Sequence, residues 1–400
     1  MSPHTKSSLS TVGAVGIIAG AFFILTSPQP VGLEPPLQED VGTIGIISTS
    51  SGAVLTTPVE PAVATTSSPK INPSSEVKSA SIKQPAPPSV NATKSDSLEV
   101  KRIGNPYPFP PLSFAIVNEQ TRLALVNILC SARSGSLRPI SASAVIIDPR
   151  GVILTNAHVA QYVLLASDPK VDLSCVIRVG SPARARFIPE VLYIPPVWVK
   201  GHASEIKTSR PLGTGEHDYA LLRITGTTDG SPLPPPPTGG FPYLPLDVRE
   251  TIGFIDDSVL VASYPAEFIG GITSQLNLFP VSSITTIKNL LTFSDEGTVD
   301  LVSIGGVIGA QSGSSGGAIV NAWGRLIGII STTSEGKTTA ERDLRAVTLS
   351  YINRDIAVQS GLNLLTILGG DIASMANAFN ASEAPGLIRL LIDQISPSQR

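Results

Sequence analysis

Two sets of short, β-branched runs lie either side of a proline-rich break, and that arrangement limits the fold more than any other feature. From about Leu112 the runs are LALVNIL, SASAVII, GVILTN, VDLSCVIRV, EVLYI and YALLRIT. Runs of this length, bounded by turn residues, read as successive half-buried antiparallel strands. The stretch 229–240, DGSPLPPPPTGG, then interrupts the pattern, because proline cannot donate to a central ladder. Strand-like runs resume with SVLVASY, VDLVSI, GGAIVN, RLIGIIST and RAVTLSYI. The expectation is an all-β domain over 112–362 made of two antiparallel barrels, about 112–228 and 241–353, with few helices before Asn353.

The ends of the chain read differently. Residues 7–33 carry no charge, and Thr11–Thr26 is mostly apolar. Lys6 and His4 precede it, while Glu34, Glu39 and Asp40 follow, a bias that places the N-terminus inside and the remainder outside. Two readings of 1–27 remain: a transmembrane helix anchoring the chain in a membrane, or a cleaved signal peptide. No A-x-A site follows the apolar stretch, which favours the anchor. Residues 28–111 are rich in Pro, Ser, Thr and Val and cannot repay the entropy of ordering, so they read as a disordered linker. After the barrels, NRDIAVQSG closes the domain with a helix. The tail 363–400 holds another, with Ser382 as N-cap, Pro385 in the first turn, and Leu387, Ile388, Leu391, Ile392 and Ile395 along a face that packs on the barrels.

A net charge of −3 with 15% charged residues leaves no basic footprint, so nucleic acid is not an expected partner. Cys130 and Cys175 are the only cysteines. An exported chain can hold them as a disulfide, the alternative being two buried thiols. There is no CxxC and no HExxH, so neither a metal site nor a cofactor is expected.

The chemistry gathers in three motifs: TNAHVA at 155–160, HDYALL at 217–222 and GSSGG at 313–317. A serine among glycines sits on a turn too tight for side chains, and such a turn can aim the Gly313 and Ser315 N–H groups at one point, as an oxyanion requires. A serine nucleophile needs a base, and the base needs a group that holds its tautomer. Of four histidines, His4 precedes the apolar segment and His202 lies in a polar loop, read as solvated. His217 adjoins Asp218, and neighbours on a strand face opposite ways. His158 is left as the base. Asp218 opens a strand with no other acid, where a carboxylate is costly unless paired. Asp168, Asp172, Asp256 and Asp257 lie in turn-like contexts that solvation explains. The order His158, Asp218, Ser315 excludes the α/β-hydrolase order and that of subtilisin.

With these motifs in place the chain resembles a trypsin-like (chymotrypsin-fold) serine protease, with most similarity to the bacterial HtrA/Deg-type branch. VIIDPRGVILTNAHVA, DYALLRI, SVLVASYP and GAQSGSSGGAIVNAWGRLIGIIS carry the resemblance, over about 120–356. It implies Ser315 as nucleophile, His158 as general base and acid, Asp218 as orienter, and the Gly313 and Ser315 N–H groups as the oxyanion hole. It further implies a substrate pocket with Gly309 near its base and Ser331, Thr332 and Thr333 along its wall. Ser314 stands where the family usually has Asp or Asn, so activation by a freshly cut N-terminus is not implied, although KRIGNP at 101–106 resembles such a cut site. The stretch 363–400 is too short for the PDZ domain usual in the HtrA branch. The expected function is an extracytoplasmic serine endopeptidase that cleaves exported or misfolded polypeptides through an acyl-enzyme. The alternative is a catalytically inactive, peptide-binding module of the same fold at the cell surface.

Overall fold

The computed structural model describes residues 104–132, 137–208, 214–235, 239–250, 252–266, 277–294, 297–306, 313–333 and 343–396, with Thr332 and Thr333 as backbone only. The segment 1–27 and the linker as far as residue 103 lie outside the described residues. Among the described residues no helix is long and apolar enough to cross a membrane.

Six strands close a barrel: β1 (Leu125–Ala132), β2 (Ile140–Asp148), β3 (Val152–Thr155), β4 (Leu173–Val179), β5 (Arg184–Tyr193) and β6 (Ala220–Thr227), in the order β1-β2-β3-β6-β5-β4. The period of two in side-chain direction is visible in which cluster each residue joins. Val126, Ile128, Ala144, Ile146, Ile153 and Leu222 share one core. Their neighbours Leu125, Val145, Leu154 and Leu221 join a second core with residues of the other sheet. Both faces of these strands are therefore covered, which is why VILT in β3 is buried throughout. Cys130 and Cys175 are directly opposed across β1 and β4 and form a disulfide.

The second sheet contains β7 (Ser258–Ser263), β8 (Val281–Thr286), β9 (Asn289–Leu291), β10 (Leu301–Ser303), β11 (Ala318–Asn321), β12 (Leu326–Thr333) and β13 (Leu344–Thr348). Its order is β8-β7-β11-β12-β13-β10-β9, antiparallel throughout. Thr285 Oγ1 of β8 donates to the Ile304 carbonyl beyond β10 at 3.3 Å, so the sheet curls toward itself. It is barrel-like, but its described strands do not close a ring as the first set does.

Helices are more frequent than the sequence suggests. Helix α1 (Phe114–Ala124) is capped by Ser113 and takes Leu123 and Ala124 from the run LALVNIL, so β1 begins only at Leu125. Helix α2 (Ala157–Leu165) follows β3, and α3 (Pro196–His202) lies between β5 and β6. The run RAVTLSYI divides at Thr348, whose hydroxyl caps α4 (Leu349–Ser360) by accepting from Tyr351 N. Three more helices follow: α5 (Leu364–Gly369), α6 (Ile372–Ser382) and α7 (Ala384–Ile395). Ser382 is thus the last residue of α6 and not an N-cap; Glu383 occupies that position in α7. The α7 stripe packs against α2 and α3, which lie between it and the first barrel, with Leu387 and Leu391 buried in the core they share with that barrel.

Residues 104–111 are tied down. The Tyr107 hydroxyl donates to Asp247 and accepts from Asn321 Nδ2 at 3.2 Å, and Trp323 Nε1 donates to the Phe109 carbonyl at 3.1 Å. The aromatic side chains of Tyr107 and Phe109, in an otherwise proline-rich stretch, explain why this piece docks.

Candidate active site

The turn between β3 and α2 places His158. Ala157 and Ala160 are small and fully buried, which lets the helix start against the barrel. As an early residue of α2, His158 has a backbone N–H with no partner inside the helix. Asp218 supplies that partner: its Oδ1 accepts the His158 N–H at 3.0 Å. The ring Nδ1 of His158 also lies 3.1 Å from Oδ1 and 2.9 Å from Oδ2 of the same carboxylate. Ser331 Oγ donates to Oδ2 at 2.8 Å, and Asn156 Nδ2 donates to the Asp218 carbonyl at 2.9 Å.

These bonds favour the charged form of the carboxylate. Burial pushes the Asp218 carboxyl up, but the charge of His158, the two hydrogen bonds from His158 and the one from Ser331 outweigh it. The net result lies below the ordinary carboxylate value. An ionised Asp218 can accept from His158 only in the tautomer that carries its proton on Nδ1, and that tautomer leaves Nε2 free to accept one. The His158 side chain is 20% exposed and that of Asp218 only 7%. The imidazole is open to solvent; the carboxylate is not.

Ser315 sits on the turn that leads into β11. Gly313 has φ 93° and Gly316 φ 80°, conformations that side-chain-bearing residues rarely adopt. Space is short as well: a Cβ on Gly316 would run into the Ser143 carbonyl and lie 2.5 Å from Thr155 Oγ1. The turn is fastened to β2, since Ser143 N donates to the Ser315 carbonyl and Ser143 Oγ to the Gly313 carbonyl, both at 2.8 Å. Ser143 Oγ in turn accepts from Tyr264 N at 2.8 Å. Thr155 Oγ1 completes the link by donating to the Ser143 carbonyl at 3.0 Å. Thr155 ends the strand that leads to His158, so these bonds bring the serine turn and the imidazole turn onto one pair of strands. The Gly316 and Gly317 N–H groups are taken by the Ile330 and Ser314 carbonyls, whereas those of Gly313 and Ser315 meet no acceptor among the described residues.

The other singled-out residues divide. Gly309 lies outside the described residues, and Thr332 and Thr333 are known only as the end of β12. The hydroxyl of Ser331, a residue expected along a pocket wall, donates to Asp218. His202 is not a solvated loop residue: it ends α3, stacks on Trp198 with centroids 4.7 Å apart, and sets its Nδ1 3.0 Å from the Trp198 carbonyl. His217 is turned away from Asp218 and pairs with Asp355. Ser314 is fully buried and accepts from Ser263 Oγ at 3.2 Å. Among the described residues no group of His, Cys, Asp and Glu is placed to hold a metal ion. Ser143, Thr155 and Asn156 were missed as positioning residues. Thr155 and Asn156 lie inside the TNAHVA motif and were within reach, but nothing in SASAVII distinguishes Ser143.

A histidine paired to a buried carboxylate, and a glycine-shaped serine turn fastened to the adjoining strands, are the site features that the trypsin-like resemblance implies. Residues 142–329 match the family model described as a trypsin-like peptidase domain, a span from β2 to β12 that includes His158, Asp218 and Ser315. The resemblance to trypsin-like serine proteases therefore holds over that span. Among solved structures the chain is similar to the serine endoprotease from Yersinia pestis, at 20% identity over 64% of this chain and 70% of that one. The TM-score of 0.38 makes this likeness too loose to bear on the chemistry. No curated protein matches the chain.

Proposed function

We propose that the protein is a serine endopeptidase in which His158, Asp218 and Ser315 act as base, orienter and nucleophile. The observation that carries this reading is the buried Asp218 carboxylate holding His158 by both its ring Nδ1 and its backbone N–H. His158 takes the Ser315 proton through Nε2 as the hydroxyl attacks a peptide carbonyl, and returns it to the leaving amine. Water then hydrolyses the acyl-enzyme by the same exchange. The Gly313 and Ser315 N–H groups, which meet no acceptor among the described residues, are available to the oxyanion. The Cys130–Cys175 disulfide supports an oxidising compartment. This agrees with the reading of 7–33 as an export or anchoring segment and with exported or misfolded polypeptides as substrates.

A fluorophosphonate probe tests the assignment. The wild-type protein should become covalently labelled and Ser315→Ala should not. Equal labelling of the two would remove Ser315 from the mechanism.

A further inference from the structure

Asp218 stands between two residues that a distant helix holds. His217 has a left-handed φ of 57°, which is uncommon for a residue with a side chain. Its N–H donates to the Tyr351 hydroxyl at 3.1 Å, and its Nδ1 lies 2.8 Å from Asp355 Oδ2. On the other side, the Tyr219 hydroxyl donates to the same Asp355 oxygen at 2.8 Å. Tyr351 and Asp355 are four residues apart on α4 and so share one face of that helix. Helix α4, which follows the last strand of the second sheet, thus grips the first barrel one residue before and one residue after Asp218.

We propose that His217, held by Asp355 and Tyr351, is a positioning residue for Asp218, fixing the backbone of 217–219 so that the carboxylate stays on His158. This rests on the reading of Asp218 as the orienter of His158. The groups facing His217 give the clamp a charge dependence. Asp355 and Tyr351 approach from α4, the latter with its hydroxyl 3.4 Å from Nδ1, and Glu216 lies 3.7 Å from Nε2. Tyr219 and Tyr193 adjoin Asp355 from β6 and its approach and from β5, and Asp300 acts on Tyr351 from farther off. The hydrogen bond to Asp355, opposed by burial and aided by the charges of Asp355 and Glu216, raises the His217 pKa above its ordinary value. A raised histidine pKa stabilises the fold fully below the unfolded value, about 6.5, and the contribution is lost as pH rises through the folded one. His217 clamps most tightly when charged, so the clamp loosens and labelling slows as pH rises through its raised pKa.

The test uses the full chain. Asn tolerates left-handed backbone, so His217→Asn removes the imidazole without adding strain, and Asp355→Asn removes the opposing charge. Two readouts are compared: the rate of fluorophosphonate labelling across pH, and the low-field proton resonance of His158 Nδ1–H. Both variants should label about tenfold more slowly at neutral pH, as expected for a displaced catalytic group. His217→Asn should also lack the alkaline decline of the wild type, and the His158 proton should exchange faster in both variants. Labelling within about twofold of wild type, with an unchanged alkaline limb and an unchanged His158 resonance, would overturn the proposal. If the wild type is not labelled at all, the protease reading fails by itself. The His158 resonance then decides: perturbed in the variants, it supports the clamp; unperturbed, it sinks it. Should both variants unfold, Tyr219→Phe deletes one hydroxyl bond to Asp355, and the same two readouts apply.

Discussion

The imidazole–carboxylate half of the site is built inside one closed barrel, whereas the hydroxyl half rides on a turn of the other sheet. His158 and Asp218 come from segments that adjoin neighbouring strands, β3 and β6, whose register pairs Thr155 with Ala220. Their contacts are buried and direct. Ser315 is placed by a turn whose shape depends on missing side chains and whose fastenings run through Ser143 of the first barrel. The first half rests on its own ladder, with Ser331 and α4 reaching it from the other side, whereas the second depends on fastenings that cross to the first barrel. Chemical substitutions should therefore matter most in the first half, and steric ones in the second.

The largest effect should come from Asp218→Asn. An amide in place of the carboxylate can hold the wrong tautomer of His158, and kcat should fall on the order of 10⁴-fold with the barrel still folded. A steady-state assay on an unfolded protein substrate measures it. A loss of only a few fold would mean that His158 needs no orienter. The steric counterpart is Gly316→Ala. The left-handed φ and the collision with the Ser143 carbonyl together should cost about 3 kcal/mol of stability. Labelling of Ser315 should be lost with it, while amide exchange in β1–β6 stays slow. If the first barrel loosens to the same degree, the two halves are not independently held.

Much of this contrast was legible in the sequence, and unevenly so. The strand runs and the proline break gave two β units because alternating burial is a local signal. The triad candidates stood out because glycine spacing and chain order are local too. What failed depends on contacts distant in sequence or on fine capping. The Thr348 hydroxyl turns a strand-like run into α4, and α5 and α6 were not foreseen because a short helix packed on a domain needs little periodicity of its own. Asp355 could not be tied to His217 from sequence, since nothing in NRDIAVQSG marks one acid as a partner for a loop so far upstream. The bond from Ser331 to Asp218 is equally distant in sequence, and nothing in RLIGIIST marks that hydroxyl as a partner for a buried charge.

Ser331→Ala gives the smallest effect and the finest test of the first half. The Asp218 carboxyl lies below its ordinary value, so the stability it contributes is present above about pH 3.9 and is lost as pH falls through the lowered value. Removing the Ser331 hydroxyl deletes one of the hydrogen bonds that lower it. The carboxyl should shift back up, acid unfolding should begin at a higher pH, and stability near neutrality should fall by about 1.5 kcal/mol. An acid titration followed by circular dichroism reads both quantities. An unshifted midpoint would mean that the two bonds from His158 hold the charge unaided. In that case the cross-sheet contact from β12 positions the carboxylate without stabilising it, and the imidazole–carboxylate half would be autonomous within its barrel.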